Sequence, residues 1–175
     1  MRAAIFVVLA ALMGGCSTTT APQTQPVQQQ KIPPELAAEY AAYAGSGTAS
    51  ILGQAFLRTR GGEVRVAAGE LVTAEPGTLI ALEYMKRASL RPAWPEAVAT
   101  RRSTTADAEG RFTFRDLPAG RWLILSQVYW EVPTSTLVGV TLRPTGGVVF
   151  NVVEVEPGAK KEGVVLIPWV QTVKD

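Results

Sequence analysis

Asp107-Ala108-Glu109-Gly110-Arg111-Phe112-Thr113-Phe114-Arg115-Asp116-Leu117-Pro118-Ala119-Gly120-Arg121-Trp122-Leu123-Ile124-Leu125 is the stretch that decides the fold. Asp107 to Gly110 has the chemistry of a turn, because an Asp side chain accepts from the backbone N–H groups that follow it and Gly tolerates the closing geometry. Phe112 and Phe114 then alternate with Arg111, Thr113 and Arg115, the period of a strand with one buried face. Leu117-Pro118-Ala119-Gly120 is a second turn. Trp122, Ile124, Val128 and Trp130 alternate along the strand that leaves it. Two strands joined by a tight turn are the repeating unit of an antiparallel β domain.

Outward from these turns and strands the pattern recurs. Thr48 to Leu57 reads as a first strand, and Gly61-Gly62 suits the hairpin after it. Glu63 to Ala68 alternates, Leu71 to Ala74 pairs briefly, and Thr78 to Met85 reads as a strand with Ile80, Leu82 and Tyr84 on one side. Lys86 to Thr105 holds Pro92, Trp94 and Pro95 and reads as a long loop. Val138 to Leu142, Val148 to Val155 and Gly163 to Ile167 complete the set, punctuated by Gly146-Gly147 and Pro157-Gly158. The expected fold is all-β: a two-sheet antiparallel sandwich of about seven strands over residues 48–173.

The Asp107 to Trp122 run resembles the carboxypeptidase regulatory-like domains. These carry a similar Asp-x-x-Gly-x-Phe-x-Phe stretch, a Leu-Pro-x-Gly turn and an aromatic strand. Ala49-Ser50-Ile51-Leu52-Gly53-Gln54-Ala55-Phe56 is similar to their first strand, and Val153-Glu154-Val155-Glu156-Pro157-Gly158 to a late one. The resemblance covers roughly Thr48 to Ile167 and implies a transthyretin-like (prealbumin-like) β-sandwich. Its residues make turns and core, so it speaks to fold and not to function.

The amino terminus carries a different signal. Met1 and Arg2 give a positive start, and Ala3 to Leu12 is an apolar run. It is too short for a bilayer span, which needs about 20 apolar residues. Residues 1–15 therefore read as a secretory signal peptide. Leu12-Met13-Gly14-Gly15-Cys16 resembles the lipobox of bacterial lipoproteins, with Met13 where Leu is usual. That resemblance implies a diacylglyceryl thioether on Cys16, cleavage before it, and a further acyl chain such as palmitate on the new amino group. By resemblance to Gram-negative lipoproteins, Ser17 implies sorting to the outer membrane.

Residues 16–32 are then the lipidated cysteine and a tether. Ser17 to Lys31 is polar, nearly uncharged and aperiodic, a composition expected to be disordered. Such a leash reaches about 50 Å fully extended and roughly 20 Å as a coil. Residues 33–47 read as a short helix. Pro34 suits its first turn, Glu35 its positive end, and Gly45 and Gly47 its stop. Leu36, Tyr40 and Tyr43 share one face, expected to pack on the domain.

The formal net charge is +2, and no basic stripe points to nucleic acid. The chain has one cysteine and no histidine. It thus lacks the commonest general base, the commonest metal ligand and the histidine of every Ser-His or Cys-His arrangement. Hydroxyisourate hydrolases and intradiol dioxygenases have related folds, but their patterns require histidines. No enzyme activity, metal or cofactor is expected. Asp107, Glu109 and Asp116 lie near one turn and read as a turn former and solvated carboxylates. Asn151, the sole asparagine, faces no lysine on the first strand, so an isopeptide crosslink is rejected.

Trp122 and Trp130 read as core. Trp94 lies in the irregular stretch and reads as exposed. With Arg91, Arg101 and Arg102 it forms the candidate binding loop. The expected function is a membrane-anchored, non-enzymatic interaction or structural module of the cell envelope, contacting an envelope protein. The alternative is a carbohydrate- or peptidoglycan-binding module.

Overall fold

A computed structural model describes residues 32–86 and 94–168. Cys16, the tether, Arg91 and Trp169 lie outside them. Helix α1 (Pro34–Ala41) comes first. Strands β1 (Ala49–Arg58), β2 (Val64–Val66) and β3 (Leu71–Pro76) follow. Helices α2 (Leu79–Lys86) and α3 (Pro95–Thr100) precede β4 (Arg102–Thr105), β5 (Arg111–Leu117), β6 (Gly120–Thr136), β7 (Gly139–Val155) and β8 (Lys160–Pro168).

The fold is all-β with three short helices. Among the described residues eight strands form one hydrogen-bonded sheet: seven follow the path β2-β1-β8-β7-β6-β3-β4, and β5 branches off it by pairing with β1. The pairing is mixed, because β1 runs parallel to β8 from Ser50↔Lys160 to Ala55↔Leu166. This departs from the expected purely antiparallel arrangement of about seven strands. The sheet curls around one core, in which Ile51, Phe112, Phe114, Trp122, Ile124, Val128, Val149 and Leu166 are all buried.

The two turns of the deciding stretch form as their residues dictate, but the strands they join do not make a hairpin: β5 pairs with β1, while β6 pairs with β3 and β7. Asp107 Oδ1 accepts from the N–H of Glu109 at 3.0 Å and of Arg111 at 2.8 Å. Phe112 and Phe114 point into the core with ring centroids 5.9 Å apart. At the second turn, Trp122 Nε1 donates to the Pro118 carbonyl at 3.0 Å, which satisfies the buried indole.

Three elements differ from the sequence reading. Thr78 to Met85 is the first: it is helix, not strand. The Thr78 hydroxyl accepts from the Ala81 N–H at 3.0 Å, an N-cap, and the residues that follow are good helix formers. Helix α2 lays Leu82 over Leu123 and Leu125, so β6 is buried on both faces there. The second is the long loop, whose described part contains α3 and β4. Strand β3 is likewise no brief pairing but sits between β4 and β6. The third is Gly146-Gly147, which lies inside β7 and does not break it. β6 and β7 pair without interruption from Gly120↔Val155 to Thr136↔Gly139. A Cβ on Gly146 would collide with the Val128 carbonyl oxygen, so this glycine permits a close approach of the two backbones.

Helix α1 packs on the domain. The Tyr43 ring meets Trp122 edge-on at 5.2 Å, and its hydroxyl accepts from the Arg121 N–H at 3.1 Å. Tyr40 is fully buried.

Candidate binding site

The structure brings three of the four binding-loop residues into the helical end of the molecule and gives each a structural task. Trp94 is buried, in a small core with Ile32, Tyr40 and Ala97, against Leu36 and Ile80. The expectation of an exposed Trp94 is therefore corrected. Pro95 starts α3 directly after it, and the helix turns the indole under α1. Arg101 Nε lies 2.8 Å from Glu75 Oε1, and the Glu75 side chain is only 6% exposed. The approach is off the donor axis, so this is a charge contact more than a linear hydrogen bond. Arg102 donates to the Gly45 carbonyl at 2.6 Å and the Thr100 carbonyl at 3.2 Å, lacing the end of α1 to α3. Arg91 lies outside the described residues.

Tyr40 completes this polar seam. Its hydroxyl is 3.4 Å from Thr78 Oγ1. Burial pushes its phenol above the ordinary 10.0, the Thr78 hydrogen bond pulls the other way, and Glu75 and Glu39 reinforce the rise. Glu75, Arg101, Tyr40 and Thr78 hold helices to sheet, and of the four only Arg101 is partly exposed.

A concave surface lies elsewhere, where β7 and β8 diverge. Among the described residues their ladder has two pairs, Val149↔Pro168 and Phe150↔Ile167. Beyond these the strands splay until the Glu156–Ala159 turn rejoins them, with the Ala159 N–H on the Glu156 carbonyl at 3.1 Å. Asn151 Nδ2 crosses the gap to the Val165 carbonyl at 2.8 Å. The cleft has a volume of about 530 Å³ and is open to solvent. Glu154, Lys161 and Glu162 line it beside Val152, Val165 and Ile167. Among the described residues, Glu154 and Lys161 have no ion-pair partner. The site thus offers carboxylates, an ammonium and an amide along an apolar strip, which suits a polar ligand of extended shape.

The exposed aromatic on this side is Tyr129, 52% accessible and opposite Gly146. Strand alternation puts it on the same sheet face as Phe150, Val152 and Ile167. Trp130, on the other face, packs partly against the core. The signal that would have found Tyr129 is the glycine across from it, which leaves its ring open space. Among the described residues no three His, Cys, Asp or Glu cluster as for a metal, and no helix is long and apolar enough to cross a membrane.

Comparison with known proteins adds a fold relative. The chain is similar to the crystal structure of a Pseudomonas aeruginosa protein described provisionally as carbohydrate binding. The TM-score is 0.63 with 24% identity, over 78% of this chain and 99% of that one. No family model and no curated protein matches. At this identity the likeness is one of fold.

Proposed function

We propose that the chain is a non-enzymatic binding module of the bacterial cell envelope, held to the outer membrane through lipid on Cys16. The lipobox-like segment supports the anchor, and the absence of histidine from the sequence supports binding over turnover. We read the curled sheet as a transthyretin-like sandwich. Its halves, β5-β1-β8 and β4-β3-β6-β7, meet at the short β7–β8 ladder. The ligand is an extended glycan, polysaccharide or peptidoglycan, lying in the β7–β8 cleft and running toward Tyr129.

The observation that carries this reading is the cleft itself, with unpaired Glu154 and Lys161 on one sheet face with an exposed tyrosine. Pyranose rings present hydroxyls to such charged and amide groups and C–H faces to an aromatic ring. The fold relative's provisional description agrees with this ligand class.

Calorimetric titration with neutral, acidic and amino-sugar polymers, including peptidoglycan fragments, tests it. One class should bind, and Lys161→Ala and Tyr129→Ala should each weaken it about tenfold, the loss of one good contact. No heat from any polymer contradicts the glycan reading and leaves the envelope protein as ligand.

A further inference from the structure

The distal part of β6 and β7 is a two-stranded arm that leaves the domain. β3 pairs with β6 only from Trp122 to Leu125, and β8 meets β7 only at Val149 and Phe150. Among the described residues, no further strand pairs with either edge beyond these points. An isolated two-stranded ribbon is marginal in water, so this arm is expected to have an occupant.

Its chemistry is unusual for a solvated hairpin. Residues 132–142 carry no charge, and Glu131 and Arg143 flank them at the root. Leu137 and Val138 form the two-residue tip and are fully exposed, at 107% and 95%. Two-residue turns prefer Asn, Asp and Gly, so local turn chemistry does not account for this pair. Val140 and Leu142 add exposed apolar surface on one face. The hydroxyls are turned inward: Thr136 donates to the Gly139 carbonyl at 2.8 Å and Thr141 to the Thr134 carbonyl at 3.4 Å.

We infer that the Leu137–Val138 tip is a membrane-contacting element that inserts shallowly into a lipid surface. A bilayer rewards apolar side chains, excludes charge and requires polar groups to be satisfied internally. The tip meets the first two, and shallow insertion leaves the outer-edge backbone groups of the ribbon in the hydrated headgroup layer while Leu137 and Val138 reach the acyl boundary. A second copy of the chain fits less well. Pro133 and Pro144 pair with Leu142 and Glu131, and proline in such a ladder turns its missing N–H to the outer edge. Each edge is thereby blunted against strand addition. A face-to-face contact of two ribbons about 20 Å long and 10 Å wide buries a few hundred Å², below the roughly 1,200 Å² of stable interfaces. A protein pocket reading polar groups would find the Thr134, Thr136 and Thr141 hydroxyls already occupied.

The described fold and its core lie within 32–168, so a chain begun at Ser17 keeps them whole and contains no cysteine. Val138→Cys in that chain, labelled with an environment-sensitive dye, is mixed with vesicles of phosphatidylethanolamine and phosphatidylglycerol. The emission should shift to the blue and be quenched by brominated lipid, while a label at Glu156→Cys, in the β7–β8 turn, stays unchanged. Leu137→Asp with Val138→Asp should lower vesicle partition at least tenfold, since burying one such side chain alone is worth about that much. Equal partition of the Asp variant overturns the inference. So does a Val138 label silent to vesicles, or sedimentation showing that the tip substitutions dissolve a dimer. Glycan titration is indifferent to each of these results.

Discussion

Tyr40 sits where α1, α2 and β3 meet, and its burial raises the phenol. A raised folded pKa means stability that is fully present below the unfolded value and lost as pH rises through the folded one. The domain should therefore weaken above about pH 10, the ordinary tyrosine value, and Tyr40→Phe should flatten that decline; alkaline denaturant titrations of both proteins read it. Arg101 is the second residue of the seam. Arg101→Ala removes the guanidinium 2.8 Å from the buried Glu75 carboxylate and should cost about 2 kcal/mol, below the usual figure for buried pairs because Arg101 is partly exposed. Adding Glu75→Gln should recover most of the loss in urea unfolding. A simple sum of the two single effects would contradict the pairing. The packing of Tyr40 was legible in the helical spacing of Leu36, Tyr40 and Tyr43, but Arg101 and Trp94 look like loop residues because Glu75 and the α1 surface they pack against are far away in the chain.

Gly146 is where residue and element meet. Both strands of the arm run past one another there at a separation that leaves no room for a side chain, and the residue has φ +145. Gly146→Ala should destabilise the β6–β7 pair by about 2 kcal/mol or more, the scale of a strained backbone position. Hydrogen exchange should show the loss along 126–148 before the domain as a whole; uniform protection would contradict it. A Gly-Gly pair reads as a turn because turns are where such pairs are commonest, and only the partner strand reveals a close approach. Thr78 was misread for a related reason. Ile80, Leu82 and Tyr84 alternate like a strand, while the decisive feature is one capping hydroxyl ahead of helix formers. The Asp107 to Trp122 stretch, by contrast, is written largely in local terms, and its turns, its buried phenylalanines and its buried Trp122 match the reading; what local terms could not give is that β5 joins β1 while β6 joins β3 and β7.

At the scale of the molecule, α1 and the apolar tip stand at opposite ends of β6. Tyr43 packs at Gly120 and Arg121, and the tip follows Thr136. At about 3.3 Å per residue, β6 alone spans roughly 55 Å. A leash leaving α1 and a tip contacting lipid would hold the sheet along a membrane surface, with the β7–β8 cleft between the two contacts. The parallel β1–β8 pair that closes this architecture joins the first and last strands, and no local pattern announces so distant a partner. The cleft follows from the same global fact, since it opens where β8 leaves β7 for β1.

The account rests on attachment at Cys16, and mass spectrometry tests it most directly. The full chain is expressed in a Gram-negative host, extracted from membranes with detergent and digested. The account predicts an amino-terminal peptide beginning at Cys16 and carrying the mass of a diacylglyceryl group with a further acyl chain, absent from the Cys16→Ser variant. A chain that begins elsewhere, or an unmodified Cys16, would contradict it.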